Sequence, residues 1–342
     1  MRSLSYRTKR RVGRLGKTLL VFAAILALLL VAAVVYLGRF VVYTPDGAHL
    51  DFGRNTALDS PAAPTGPSGA PPIESAKIEI ADPNRGNETA ELVSGYYIDL
   101  DMLSDPDAVL QAIRTLDSTC TVMLDLKGGD GSFYYTSGIE DVKQAAIDVE
   151  AVDRIISTLK NRGFTMVARV KTFQDSAFAL AHIKCSLPIR GGALWVGGGC
   201  YWLDPANETV LAYLKQIARD LAGKGFKEIV FDDFYFPEST QIVYETDKSR
   251  TQLMADTARE LLTFFSSSNI TISFGNPRTA FSLGEGSHLY YANAIGSDVN
   301  KIVRGLPMLD DPAARIVFLT GSKDSRFGDY QLLRPLLTSP AR

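Results

Sequence analysis

Histidine is scarce in this chain: three in 342 residues, His49, His182 and His288. No two are close in sequence and no H-E-x-x-H pair occurs, so there is no His-based zinc hydrolase site to build on. The chain has no G-x-S-x-G elbow and no G-x-x-x-x-G-K-[ST] phosphate loop. No glycine fingerprint follows the first strand-like run, as a dinucleotide fold would require. GGDGS (128–132) reads as a tight turn rather than a calcium loop. Neither a metal nor a cofactor is therefore expected. Cysteine is sparse too: Cys120, Cys185 and Cys200. Three is odd, so at least one thiol stays unpaired within the chain. Cys185 and Cys200 lie in one loop-like region and could bridge there, although spacing alone does not set the geometry. Cys120 opens an apolar run and reads as a buried thiol.

Acids are absent from residues 1–17, which carry seven of the 36 basic groups. The rest of the chain then holds 29 Lys and Arg against 38 Asp and Glu. A body of that sign is not built for nucleic acid. Thr18–Gly38 contains no charge, and its 21 residues suffice to cross a bilayer core as a helix. The basic flank puts the N-terminus in the cytoplasm. A cleaved signal peptide would want a shorter apolar core and a small-residue exit. The expectation is a single-pass membrane protein, bound to the lipid bilayer through this segment, with everything after it extracytoplasmic. Residues 39–75 then form a linker. Five prolines between 54 and 75 make that part an extended spacer.

From about residue 76 to 342, strand-like and helix-like runs alternate. Strands are expected at 94–100, 120–128, 164–173, 228–236, 270–276 and 314–321, with a weaker one near 299–306. Helices are expected at 105–116, 148–163, 204–225 and 248–268. In the third of these, Asp204 is the expected cap, Pro205 the first residue and Gly225 the end. This alternation calls for a parallel sheet covered by helices. So many units in one domain favour a closed (β/α)8 TIM barrel, an α/β fold, over an open sheet.

In such a barrel the chemistry sits at the C-terminal ends of the strands. KEIVFDDFYFPE (227–238) places Asp232 and Asp233 there, inside an otherwise apolar run. Strand alternation puts Asp125 and Lys127 on one face, and Arg169 and Lys171 on one face. In a regular strand Asp232 and Asp233 face opposite sides, which argues against their being a catalytic pair.

The blocks GYYIDL, VMLDLKGGDGSFYY, MVARVKTFQD and WLDPANETVLAYLKQIARDLAGKGFKEIVFDDFYFP follow one another over about residues 94–240. In order and spacing they resemble the putative glycosyl hydrolase domain family. Its pattern runs roughly G-x-Y, V-I-D-x-K-x-x-x-G, A-R-x-x-x-F-x-D, W-x-D-P and E-I-x-F-D-Y-x-R-F-P. Asp125, Lys127, Gly131, Arg169, Asp175, Asp204, Glu228 and Asp232 match its polar positions. Where the family has Tyr and Arg after its strand Asp, this chain has Asp233 and Tyr235. The segment from about residue 280 matches poorly. The resemblance implies a TIM barrel and hydrolysis of O-glycosidic bonds in a cell-envelope or extracellular polysaccharide.

That chemistry needs two carboxyl groups about the scissile bond. Asp232 is the first, as nucleophile or base; Asp125, Glu238 and Asp233 are the candidates for the acid. Lys127, Arg169, Asp233 and Tyr235 are expected to bind substrate. So are Trp195, Tyr201 and Trp202, from a Gly-rich loop whose aromatic rings suit sugar faces. The alternative is an inactive barrel that binds a glycan or an envelope protein partner.

Overall fold

The computed structural model describes residues 41–44, 47–50, 93–307 and 309–337. The basic tail, the apolar segment 18–38 and the spacer 54–75 lie outside them. Among the described residues no helix is long and apolar enough to cross a membrane. The chain divides into two compact units, Met1–Glu79 and Ile80–Arg342. In the first, Val41–Thr44 and Gly47–Leu50 form an antiparallel hairpin, inside the stretch expected to be linker.

The second unit is a closed barrel of eight parallel strands. They are β1 (Val93–Ile98), β2 (Thr121–Lys127), β3 (Thr165–Lys171), β4 (Glu228–Asp232), β5 (Thr271–Gly275), β6 (Leu289–Ala292), β7 (Ile316–Leu319) and β8 (Gln331–Pro335). Neighbours pair in chain order, and β8 pairs with β1 to close the ring. The helices are α1 (Pro106–Thr115), α2 (Val149–Asn161), α3 (Ser176–Ala181), α4 (Glu208–Lys224), α5 (Arg250–Phe265), α6 (Gly296–Arg304) and the short α7 (Pro312–Arg315).

The helices start where short polar side chains can satisfy the free N–H groups of a first turn. Asp105 accepts from Ala108 N–H at 3.1 Å and Asp148 from Ala151 N–H at 2.9 Å. Ser249 and Gln252 form a reciprocal capping box on α5. For α4 the expected cap is corrected. Asn207 caps it, accepting from Thr209 and Val210 N–H, while Asp204 accepts from Ala206 N–H and the Tyr244 hydroxyl. Gly225 ends α4 at φ 110°, a left-handed conformation that glycine adopts without a Cβ penalty.

The core has two parts, because each strand has two faces. The outer faces pack on the helices: Leu124, Ala168 and Ile229 meet side chains such as Ile155, Leu214 and Leu261. The inner faces fill the barrel with Met123, Val167, Val230, Tyr290, Val317 and Leu333. At the N-terminal end of this column, Glu228 accepts hydrogen bonds from the Ser273 hydroxyl and pairs with His288 Nδ1 at 2.9 Å.

The last third differs from the expectation. The weak strand near 299–306 is the helix α6. Strands β6 and β8 were not anticipated. No helix separates β5 from β6, and only a 3-10 turn, Ser325–Phe327, separates β7 from β8. Short strands without helical spacers leave little periodic signal.

Candidate functional site

The site is built at the C-terminal ends of β2 to β5. Strand β4 ends at Asp232, earlier than expected, because Asp233 takes a left-handed backbone, φ 50°. Asn276, at the end of β5, does the same with φ 47°. Asp and Asn tolerate this region better than other side chains, and such conformations gather at functional sites. The main chain holds both turns: Phe234 N–H donates to Gly275 O at 2.9 Å, and Asn276 N–H to Tyr290 O at 2.8 Å.

The turn at Asp233 overturns the expectation that it and Asp232 face opposite sides. Lys171 Nζ donates to Asp232 Oδ2 at 2.8 Å and also to Asp233 Oδ2. Asn276 Nδ2 lies 3.1 Å from Asp232 Oδ1 and 3.1 Å from Asp233 Oδ1. One ammonium and one amide thus bridge the two carboxylates. Asp232 is buried, whereas Asp233 is half-buried on the open side. Thr172 adds two hydrogen bonds to the Asp232 carbonyl and fixes the end of the strand. No Cβ would fit at Gly275: it would stand 2.3 Å from Asp232 Oδ1.

Arg169 and Lys171 share the barrel face, as the alternation predicts. Arg169 grips Asp125 with two hydrogen bonds of 2.6 Å, and its other terminal nitrogen is 3.9 Å from Asp232 Oδ2. Burial pushes the Asp232 carboxyl up, but Arg169 and then Lys171 outweigh it and hold its pKa below the usual carboxylate value. Burial pushes the Asp125 carboxyl up, against the pull of Arg169. For Arg169 and Lys171, burial is outweighed by the neighbouring carboxylates and both cations are reinforced.

Lys127 does not join this group. The pairing register shifts between Asp125, opposite Arg169, and Lys127, opposite Val170. Val170 belongs to the outer core, so Lys127 is turned outward with it. There, fully buried, it donates to Lys171 O and pairs with Asp175 at 2.9 Å. Asp175 also accepts from the Tyr213 hydroxyl and caps α3. Lys127 is therefore a structural cation and not a substrate-binding one. Glu238 is exposed beyond the strand end and makes no hydrogen bond or ion pair with the described residues.

The aromatic residues form a row. Trp195 meets Trp202 at 5.4 Å between ring centroids, Trp202 meets Tyr235 at 5.2 Å, and the guanidinium of Arg278 lies 3.8 Å from the Tyr235 centroid. Burial, then Asp233, push the Tyr235 hydroxyl up, which ties the row to the carboxylates. Trp202 is only 2% exposed and donates its indole N–H to Gly197 O at 2.9 Å. It supports the row and offers no face to a ligand, correcting its expected contact role. Trp195 and Tyr235 are half-buried. Tyr201 is half-buried in a small hairpin, where its carbonyl accepts from Asp175 N–H. The Cys185–Cys200 bridge is not formed, and all three cysteines are free.

Sequence reasoning missed Asn276, Gly275 and Arg278. Gly275 ends β5 and the other two follow it, and only the fold brings Gly275 and Asn276 to Asp232 and Arg278 to Tyr235. Tyr235 stands where the family pattern has Arg, and here the guanidinium of Arg278 lies over the Tyr235 ring.

Among solved structures, a hypothetical protein from Ruminiclostridium thermocellum is 22% identical, with a TM-score of 0.43; the match covers 53% of this chain and 96% of that one. The PgaB (BpsB) glycoside hydrolase domain from Bordetella bronchiseptica is 16% identical, with coverage of 66% and 84% and a TM-score of 0.45. A beta-N-acetylhexosaminidase from Bacteroides fragilis is 12% identical, with coverage of 68% and 50% and a TM-score of 0.44. None of these likenesses bears on the chemistry of this chain. No curated protein matches it. The model of the putative glycosyl hydrolase domain matches residues 95–302, more than half of the chain, and the chain belongs to that family.

Proposed function

We propose that this protein is a glycoside hydrolase that cleaves O-glycosidic bonds in a cell-envelope or extracellular polysaccharide. The observation that carries this reading is the carboxylate pair bridged by Lys171 and Asn276 at the C-terminal end of the barrel. Two oxygens within hydrogen-bond reach of one nitrogen are no more than about 6 Å apart. Retaining glycosidases hold their two carboxyl groups about 5–5.5 Å apart, so the pair favours retention. Asp232, kept ionised by Arg169 and Lys171, is the nucleophile. Asp233, on the open side, is the second carboxyl group of the pair. Asp125 has both oxygens committed to Arg169 and acts by positioning that cation. Trp195 provides an apolar face for the sugar, and Tyr235 is held between Trp202 and Arg278.

The uncharged run Thr18–Gly38 behind a basic flank supports a membrane anchor with the barrel on the extracytoplasmic side. One observation favours the second reading, a barrel that holds glycan without cleaving it: every oxygen of Asp125, Asp232 and Asp233 already has a partner within the protein. Reducing-end release from envelope and plant polysaccharides by the full chain, set against Asp232→Asn and Asp233→Asn, separates the two. Release that either substitution abolishes supports the hydrolase. Binding without release in all three proteins supports the second reading.

A further inference from the structure

The aromatic row ends at Arg278, and there a second cleft of about 430 Å³ opens between the β5–β6 connection and α6. Pocket volumes of about 300–1,000 Å³ suit small ligands. Its wall starts at Pro277, directly after Asn276. Ala292, also in the wall, donates its N–H to Asn276 Oδ1 at 3.2 Å. The cleft therefore adjoins the residue that bridges Asp232 and Asp233.

Two cations line it, Arg278 and Lys301, both exposed. Neither has a carboxylate at ion-pair distance among the described residues. The carboxylate of the wall, Asp298, is turned to its own helix start, where it accepts from Ile295 N–H at 3.1 Å. This contrasts with the mouth, where Arg169 and Lys171 are saturated by carboxylates. Arg278 lays its flat face on Tyr235, which leaves the N–H edge of its fork for another partner. A guanidinium can stack on a ring and bind an oxyanion through two parallel hydrogen bonds at once.

We infer that this cleft is a subsite for a sugar carrying an oxyanion, a uronate carboxylate or a phosphate ester, next to the residue bound over the carboxylate pair. Arg278 is its specificity-determining group and Lys301 adds charge. The inference rests on the reading that the barrel mouth takes a glycan; it does not require cleavage.

The test titrates the full chain by calorimetry with oligogalacturonates, glycerol-phosphate-linked oligosaccharides and neutral cello-oligosaccharides. An anionic oligomer is expected to bind about tenfold or more tightly than the neutral one, a charged hydrogen bond being worth that much. The preference shrinks as salt is added. Arg278→Gln is expected to lose about tenfold in affinity for the anionic oligomer, Arg278→Lys to keep part of it, and Lys301→Gln to lose less. Which anionic oligomer wins identifies carboxylate or phosphate. Equal binding of neutral and anionic oligomers, no binding at all, or unchanged anion binding by a folded Arg278→Gln would each overturn the subsite. Reducing-end assays on the same proteins keep the two readings apart. Anion preference without any release sinks the hydrolase and leaves the subsite standing. Asp232-dependent release with no anion preference does the reverse.

Discussion

Gly275 and Asp232 sit so close that a Cβ on the glycine would stand 2.3 Å from the Asp232 Oδ1 atom. A contact of that length cannot exist, so the bare backbone of β5 is what lets the carboxylate of β4 take its place. Gly275→Ala is expected to push Asp232 off Asn276 and Lys171 and, because the same Cβ would stand 2.9 Å from the Asp232 Cα, to spread β4 from β5. A displacement near 1 Å at a reacting group can cost about 10²-fold in rate. Turnover should fall by at least that order, and the melting temperature should fall with it because strand backbone must move. A variant of unchanged turnover would separate Asp232 from the chemistry.

The pH dependence should follow Lys171. Burial raises the Asp232 pKa, and Arg169 and Lys171 lower it further than burial raises it. Lys171→Met removes one of the two lowering charges, so Asp232 should take up its proton at higher pH. The acid limb of the kcat/KM profile should move upward in pH, and a limb that stays in place would assign it to another group. For stability the sign is that of a depressed carboxylate. Its contribution is present above the unfolded value of 3.8 and is lost as pH falls through the lower folded value.

Asp175 should matter to stability without touching substrate. It pairs with the fully buried Lys127, accepts from Tyr213 and caps α3. Asp175→Ala leaves a buried ammonium without its counter-charge, which typically costs about 3–5 kcal/mol. Denaturant unfolding should show a loss of that size at pH 7. A loss below about 1 kcal/mol would mean that Lys127 finds water or another acceptor.

The two tryptophans should separate by readout. Trp195 is half-buried at the mouth, and Trp202 is buried behind it. Trp195→Ala is expected to raise KM severalfold with little change in melting temperature. Trp202→Ala empties a core position and should cost about 3–5 kcal/mol of stability. The reverse pattern would place the sugar on the opposite side of the row.

Most of the first five strands was legible, because their apolar runs alternate with helices long enough to show a helical period. Strands β6 and β8 were not, since β6 is four residues long and neither it nor β8 follows a helix. Asp232, Arg169 and Lys171 could be placed together because a parallel barrel brings the ends of its strands to one rim. Lys127 could not be placed correctly, because alternation assumes a regular ladder and the register shifts just before it.

The amino-acid order by itself determined the alternating elements, the charges at the strand ends and the family the blocks resemble. Those are properties of neighbours along the chain, where period and residue type act directly. Tertiary structure alone decided that Asp232 and Asp233 point to one lysine, that Lys127 turns away, and that Asn276 and Arg278 reach the site. Each of these depends on a local backbone departure, a left-handed φ at Asp233 and Asn276 or a shifted register at Lys127. Such departures are held by contacts between strands distant in sequence, and no local pattern encodes them.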